Sequence, residues 1–113
     1  MKTNELTGAA LDWAVAKCEG RQEPEVVNNF AVAWYTWPNT HYSTNWAQGG
    51  PIIEREMVNL DTEGYQWRAT VEAPEGSELN FIEGCGPTPL IAAMRCYVQS
   101  KLGDDIEILE ELL

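Results

Sequence analysis

The chain has 113 residues, of which 44% are hydrophobic and 22% charged, a composition typical of one globular domain with a single core. Its 18 acidic and 7 basic residues give a formal net charge of −11, which repels nucleic acid and anionic membrane surfaces at long range. No apolar run approaches the about 18 residues of a membrane helix, and the first residues do not resemble a signal peptide. We therefore expect a cytoplasmic protein with no direct nucleic-acid or membrane binding.

The acidic charge has two interpretations. The acidic residues are scattered along the chain except near its C-terminus, which is typical of a charge that maintains solubility. The same charge could instead mark a nucleic-acid mimic that occupies a basic host protein. The three cysteines, Cys18, Cys85 and Cys96, include no Cys-x-x-Cys pair, so we expect buried reduced thiols and neither a disulfide framework, a metal site nor a cofactor.

The first predicted element is a helix. Thr7 is a suitable N-cap, and Leu6 is placed to pack on Leu11 as a hydrophobic staple. The helix should end near Glu19, before Gly20. Asp12, the one charge in its middle, is either a solvated carboxylate, which is the more frequent case, or an acceptor at the edge of a pocket.

A strand and a long loop follow. From Phe30 onward, the even positions Phe30, Val32 and Trp34 alternate with Ala31, Ala33 and Tyr35, which predicts a strand that ends at the turn 37–39. No periodicity is visible over residues 36–48, and a loop of this length is typical of a functional segment. Pro51 is suited to the first position of a helical turn, because its missing N–H costs nothing there.

The second half predicts two or three strands and a helix. Residues 58–60 can extend, 61–64 form a turn, and the alternation over 65–71 indicates a half-buried strand. Residues 74–87 are a loop with a short edge strand. Thr88 and Pro89 open a helix that closes at Gly103. Residues 104–109 alternate as a short final strand, followed by a tail.

These elements predict one α+β domain over residues 1–113, with residues 104–113 as a C-terminal edge strand and tail. Its mostly antiparallel sheet has three to four strands, and two helices pack on one face of the sheet. A homodimer is compatible with five Trp in so short a chain.

Three segments, taken together and in order, resemble the NinX-like family of small phage and prophage proteins. They are Leu6-Thr7-Gly8-Ala9-Ala10-Leu11-Asp12-Trp13-Ala14-Val15-Ala16, then Asn45-Trp46-Ala47-Gln48-Gly49-Gly50-Pro51-Ile52-Ile53-Glu54, then Thr88-Pro89-Leu90-Ile91-Ala92-Ala93-Met94-Arg95-Cys96-Tyr97-Val98 with Lys101-Leu102-Gly103. The likeness spans Leu6 to about Ile108. The chain has Asn45 where the family pattern has Asp, and Leu109 where it usually has Pro. The resemblance implies a phage accessory protein made inside a bacterium, and it implies no particular activity.

Catalytic signatures are weak. The single histidine, His41, has no Ser or Cys at a recognisable motif spacing. Glu54 and Glu56 are too close in sequence to be interpreted as an acid/base pair without the fold. The Gly49-Gly50-Pro51 segment matches neither the phosphate loop nor the dinucleotide-binding fingerprint. The chain is therefore more consistent with a binding protein than with an enzyme.

A binding site is better supported. Gly49 and Gly50 would let backbone amides approach a ligand, and a helical turn that opens at Pro51 would direct free N–H groups at an anion. A tryptophan could stack on a planar base, and an arginine could pair with phosphate. The predicted ligand-binding residues are Asp12, Trp13, Trp46, Gln48, Gly49, Gly50, Pro51, Glu54, Arg55, Trp67, Thr88 and Arg95. The simpler alternative is that the Trp residues are core, the Gly pair is a turn, and Glu54 and Arg55 are surface groups.

Three functions follow from these patterns. The first is a non-enzymatic module that binds a small anionic, nucleotide-derived ligand and sequesters a host defence signal. The second is an acidic protein-interaction module or nucleic-acid mimic that inhibits a host protein. The third is an enzyme acting on a nucleotide, for which the chain offers the least support.

Overall fold

The computed structural model describes residues 1–20, 26–27, 30–31 and 40–107. A 3-10 turn at Thr3–Glu5 precedes helix α1 (Gly8–Cys18), and two short strands, β1 (Val26–Val27) and β2 (Phe30–Ala31), pair antiparallel. Helix α2 (Trp46–Glu56), strands β3 (Asn59–Glu63), β4 (Gln66–Glu72) and β5 (Phe81–Gly86), and helix α3 (Pro89–Leu102) complete the described elements. Residues 32–39 and 108–109, to which the predicted strand and loop and the final strand extend, lie outside the described residues.

The main sheet is antiparallel with the order β3-β4-β5. Helix α3 packs on β4 and β5, and α1 and α2 both contact α3. The predicted α+β fold with an antiparallel sheet and helices packed on it is confirmed. A third helix, α2, was not predicted at its full length.

Helix α3 is defined by local signals. The Thr88 hydroxyl oxygen accepts a hydrogen bond from the Ile91 N–H at 3.1 Å, Pro89 occupies the first turn, and Gly103 is the C-cap, as predicted. Every residue of the helix from Ala92 to Val98 is buried. It is therefore the central element around which the rest of the described chain packs.

Strand β5 lets α3 approach the sheet closely. A Cβ atom added to Gly84 would lie 2.4 Å from the backbone nitrogen of Cys96 and 2.8 Å from the Ala92 carbonyl oxygen. Because only a hydrogen fits in that space, the glycine determines how near the helix can lie. The predicted edge strand within 74–87 is confirmed at Phe81–Gly86.

The hairpin β3–β4 differs slightly from its prediction. Glu63 pairs with Gln66, so the turn contains only Gly64 and Tyr65 rather than residues 61–64. Gly64 adopts a positive φ of 64°, and Tyr65 is fully exposed. Farther along β4, Ala69 and Val71 are buried as the alternation predicts.

The N-terminus is fastened to the end of α3. Thr3 is fully buried, donates its hydroxyl hydrogen to the Gly103 carbonyl oxygen at 2.6 Å, and donates its N–H to the Asp104 carbonyl oxygen at 3.0 Å. Within the predicted final strand, Asp105 pairs with Lys2 as an isolated antiparallel bridge. These contacts close the described chain end to end.

The cysteines are free thiols. Cys96 is buried, whereas Cys18 and Cys85 are partly buried. Burial raises the pKa of the Cys18 thiol to about 11 and that of Cys96 to about 12. Within the described part of the chain, no helix combines the length and apolar character needed to cross a membrane.

Candidate functional site

Helix α2 begins earlier than predicted. Asn45 is its N-cap, and its side-chain oxygen accepts a hydrogen bond from the Ala47 N–H at 2.8 Å. Pro51 therefore lies inside the helix, and the prediction that it opens a helical turn is wrong. Two features make this tolerable: Gly50 has no Cβ to clash with the proline ring, and the Ala47 carbonyl that loses its partner belongs to an exposed residue.

Gly49 has a packing role. A Cβ atom at this position would lie 2.5 Å from the Tyr42 carbonyl oxygen and 2.6 Å from Cδ1 of Leu90. The residue is buried where α2 meets α3. Gly50 by contrast has open space around it, with only a Trp46 ring atom at 3.9 Å. Gly49 thus allows α2 to pack closely on α3, and Gly50 allows the helix to continue through Pro51.

Arg55 lies at the opposite end of α2 from Trp46, about 14 Å along the axis at 1.5 Å per residue. Its guanidinium donates two hydrogen bonds to the Glu19 carboxylate, at 2.7 and 3.1 Å, and one to Glu56 at 2.9 Å. It also donates to the Tyr97 hydroxyl oxygen at 3.1 Å. These partners raise the pKa of Arg55 above its usual value, with Glu19 as the largest cause.

The same cluster fixes Tyr97. Its hydroxyl donates to Glu19 at 2.5 Å, and burial, followed by this hydrogen bond, raises the pKa of Tyr97 above its usual range. Lys101 lies 3.4 Å from Glu56. Basic side chains in the last turns of α2 and α3, Arg55 and Lys101, are thus balanced by Glu19 and Glu56, a favourable arrangement for helix C-termini. The guanidinium of Arg55 is already paired with carboxylates of its own chain.

Arg95 is also bonded internally. It is only 8% exposed, and it donates to the carbonyl oxygens of Leu6 and Cys85, both at 2.8 Å. Burial lowers its pKa. The side chain of Arg95 thus joins the segment before α1 to strand β5.

Asp12 is a buried acceptor, so of the two interpretations left open, the solvated carboxylate is excluded. It is 7% exposed, and one carboxylate oxygen accepts a hydrogen bond from the Ser43 N–H at 2.9 Å. Burial raises the pKa of Asp12, and this bond opposes the rise. The Ser43 hydroxyl lies near enough to favour the charged carboxylate, although its oxygen makes no hydrogen bond of normal geometry with a described group.

Two of the tryptophans predicted to bind ligand, Trp13 and Trp67, instead contribute to the packing of the core. Trp13 is 4% exposed, and among the described residues its indole N–H has no hydrogen-bond partner. Trp67 is partly buried, packs against the core and pairs across the sheet with Thr62 and Gly86. Gln48 accepts a hydrogen bond from the His41 N–H at 2.7 Å and orders the segment before α2.

Trp46 and Thr88, far apart in sequence, line one small cavity. We call this the Trp46–Thr88 cavity; its volume is about 220 Å³ and its lining residues are Ser43, Thr44, Trp46, Thr88, Leu90 and Ile91. Four of them belong to the first turns and the N-cap of α2 and α3, and Ser43 and Thr44 lie in the turn just before α2, so the N-termini of two helices meet there. Half of the Trp46 surface (52%) is exposed.

Unbonded amides are available at this cavity. Asn45 caps the Ala47 N–H and Thr88 caps the Ile91 N–H. Among the described residues, the N–H groups of Trp46 and Leu90 have no hydrogen-bond partner. First-turn amides of a helix carry a partial positive charge, and such groups bind anions. The cavity can therefore offer an anion two helix ends and an aromatic face.

Glu54 lines a different and larger opening. We call it the acidic cleft; its volume is about 560 Å³, and it is bordered by the end of α2, the start of β3 and Glu72 of β4. It has no arginine or lysine in its lining. The predicted site residues are thus distributed over the core, the Arg55 cluster, the acidic cleft and the Trp46–Thr88 cavity.

A cluster on the main sheet was not expected from the sequence. Ligand atoms of Glu63, Glu83 and Cys85 lie within 4.8 Å of one another. Arg68 lies 3.7 Å from Glu63 and makes two hydrogen bonds with Asp61, at 2.7 and 3.0 Å. Only strand pairing brings these residues together, and the alternation of Glu83 and Cys85 is the sole local signal. Within the cluster, the Cys85 thiol donates to the Glu83 carboxylate at 3.5 Å, and Arg68 forms the ion pair with Glu63.

The chain is similar to one known protein family. No curated protein matches the chain significantly. The family model described as Bacteriophage P22, NinX matches residues 2–101, which include the first two segments of the NinX-like resemblance and the third as far as Lys101. The chain therefore belongs to the NinX family of bacteriophage P22.

Proposed function

We propose that this phage-family protein binds a small anionic, nucleotide-derived ligand at the Trp46–Thr88 cavity. The observation that carries the proposal is the meeting of two helix N-termini beside a half-exposed tryptophan. The proposed class of ligand is the same as in the sequence-based hypothesis, but the set of residues proposed to bind it is different. Trp46 and Thr88 are retained, Ser43, Thr44 and Leu90 are added, and Arg55 and Arg95 are not involved.

The cavity suits a phosphate-sized group rather than a whole nucleotide. A phosphate inside it would accept from the Trp46 and Leu90 amides, and the hydroxyl of Thr44 is a further donor. The base would then lie outside, stacked on the exposed face of Trp46. Stacking of this kind contributes about 1 to 3 kcal/mol per base.

The charge of the whole chain opposes this binding. A net charge of −11 lowers the local concentration of anions, and no lysine or arginine lines the cavity. Affinity must then come from short-range hydrogen bonds and stacking. Moderate salt, which screens the long-range repulsion, should strengthen binding rather than weaken it.

We extend the proposal to the biological role. A phage protein that holds a nucleotide-derived signal of host defence would lower its free concentration in the infected cell. Such a role requires binding without turnover, which agrees with the lack of a recognisable catalytic motif in the sequence. Mass action further requires that the concentration of the protein exceed the dissociation constant of the complex.

Calorimetric titration with adenosine, AMP, cyclic nucleotides and inorganic phosphate tests the proposal. We expect the phosphorylated compounds to bind and adenosine to bind less tightly. Trp46→Leu should weaken nucleotide binding about tenfold by removing the stack, and Trp46→Phe should restore most of it. Tyr65→Leu, at a fully exposed aromatic in the β3–β4 turn, is the matched control and should change nothing.

Two results would contradict the proposal. One is the absence of any nucleotide binding tighter than about 100 μM, which is roughly −5.5 kcal/mol. The other is binding that Arg55→Gln abolishes and Trp46→Leu leaves intact, because Arg55 lies at the far end of α2. That second result would return the site to the location first predicted from the sequence.

A further inference from the structure

The lining of the acidic cleft is partly apolar and partly acidic, and the cleft has no part in the anion binding proposed for the Trp46–Thr88 cavity. Its apolar part is formed by Ile53, Met57 and Val58, and its charged part by three glutamates, Glu54, Glu56 and Glu72. The cleft volume of about 560 Å³ lies in the usual range of binding pockets. An anion would be repelled here, so any ligand of this cleft differs in charge from that of the Trp46–Thr88 cavity.

The glutamates are not equivalent. Glu56 is bonded to Arg55 at 2.9 Å and lies 3.4 Å from Lys101, so its charge is balanced from within the chain. Glu54 and Glu72 form no ion pair with any described residue. Two exposed carboxylates with no ion-pair partner in the described part of the chain therefore border an apolar surface.

Met57 has an unusual conformation for its residue type. It is the C-cap of α2 with φ 55° and ψ 48°, a left-handed conformation that normally favours Gly or Asn. Its side chain is 80% exposed. A strained backbone that presents a flexible apolar side chain to solvent suits a contact surface better than it suits folding, because glycine would form the same cap with less strain.

We propose that the acidic cleft docks a basic segment of a partner protein. An arginine or lysine side chain would lie with its aliphatic stem on Met57 and Ile53 and its charged group at Glu54 and Glu72. Amphipathic cationic side chains bury their stems in this way, and both Met and Arg are enriched at protein interfaces. A second copy of the chain is a poor occupant, since each copy carries a net charge of −11.

Methionine-methyl NMR provides a direct test, because the chain has only three methionines and they differ in environment. Met57 is in the cleft, Met1 is 47% exposed near Asp105, and Met94 is fully buried. The probe is a peptide of alternating Arg and Leu, with a citrulline analogue as the neutral control. We expect the Arg peptide to shift the Met57 signal in a saturable way while the other two signals stay in place, and the citrulline peptide to shift none.

Substitutions distinguish binding at the acidic cleft from nonspecific attraction between a cationic peptide and an acidic protein. Glu54→Gln with Glu72→Gln should weaken the Arg peptide about threefold to tenfold. Glu75→Gln with Glu78→Gln removes the same charge from an exposed loop outside the cleft and should leave affinity within about twofold. Circular dichroism and urea unfolding check that each double variant is folded.

Met57→Gly distinguishes a binding role from a structural one. It should raise the free energy of unfolding by relieving the left-handed methionine, and it should still weaken the peptide because the apolar contact is lost. Four results would each overturn the proposal. The two pairs of glutamate substitutions could weaken the peptide equally, or the citrulline peptide could bind as tightly as the Arg peptide. Spermine could bind more tightly than the peptide, or Met57→Gly could leave the peptide affinity unchanged.

Discussion

The guanidinium of Arg55 and the carboxylate of Glu19 face each other in two parallel hydrogen bonds of 2.7 and 3.1 Å. This pair joins the ends of α1 and α2, and the Tyr97 hydroxyl of α3 donates to the same carboxylate. A bidentate pair is stronger than a single contact because two N–H donors of the planar guanidinium bond both carboxylate oxygens. Further N–H groups of Arg55 donate to Glu56 and to the Tyr97 hydroxyl oxygen, and this internal bonding argues against a role for Arg55 as a phosphate clamp.

A double-mutant cycle of Glu19→Gln and Arg55→Gln should give a coupling free energy of about 0.5 to 1 kcal/mol by urea unfolding. The side chain of Glu19 is 21% exposed and that of Arg55 50%, so solvent screens part of the attraction. The bidentate Asp61–Arg68 pair is the control; with Asp61 56% exposed, its coupling should be smaller. A coupling at Glu19–Arg55 that does not fall in about 1 M salt would contradict an electrostatic origin.

Gly49 and Gly50 should respond oppositely to the same substitution. Gly49→Ala should lower the free energy of unfolding by about 2 kcal/mol, because the added Cβ would clash with the Tyr42 backbone, which outweighs alanine's helix propensity. Gly50→Ala should stay within about 1 kcal/mol of wild type, since a propensity gain is offset by crowding before Pro51. Denaturant midpoints of the two variants measure this, and similar midpoints would contradict the packing role of Gly49.

Arg95 should behave as a structural residue. Arg95→Ala removes the donors to the Leu6 and Cys85 carbonyls and should cost about 3 kcal/mol of stability. Lys101→Ala, an exposed position on the same helix, should cost about 0.5 kcal/mol. Should Arg95→Ala keep wild-type stability and instead lose nucleotide binding, the ligand-binding role predicted from the sequence would be restored.

Asp12 should give a distinct pH signature. Its folded pKa is raised above the ordinary 3.8 by burial, so the native state holds the proton more tightly than the unfolded chain. The contribution of Asp12 to stability therefore falls as pH rises from 3.8 through the folded pKa. Asp12→Asn keeps an acceptor for Ser43 and removes this loss, so its stability relative to wild type should increase over that window.

Asp61→Asn supplies the opposite control for the pH experiment. Arg68 lowers the pKa of Asp61, so its stabilisation is present above 3.8 and disappears as pH falls through the folded pKa. Urea unfolding of both variants across the acid range measures the two trends. Parallel trends in the two variants would show that the burial of Asp12 has no effect on its protonation.

The elements with strong local signals were predictable. The bounds of α3 follow from Thr88, Pro89 and Gly103, and the half-buried alternation of β4 follows from its sequence. The start of α2 could not be predicted in this way, because Asn45 and Pro51 are both good helix-start signals only six positions apart. The absence of a Cβ at Gly50 and the exposure of Ala47 allow the helix to continue through Pro51.

For the site, the sequence by itself determined the chemistry available. It is an acidic chain of the NinX family with Trp46 next to Asn45, with Thr88 as a helix cap, and with few catalytic groups. The tertiary structure decided which residues meet. Asp12 accepts from a residue 31 positions away, and Arg95 donates to one 89 positions away. The burial of Asp12 and Arg95 and their hydrogen bonds to residues so distant in sequence depend on how the helices pack. A local sequence pattern therefore does not predict them. The same packing brings the first turns of α2 and α3 together at Trp46 and Thr88.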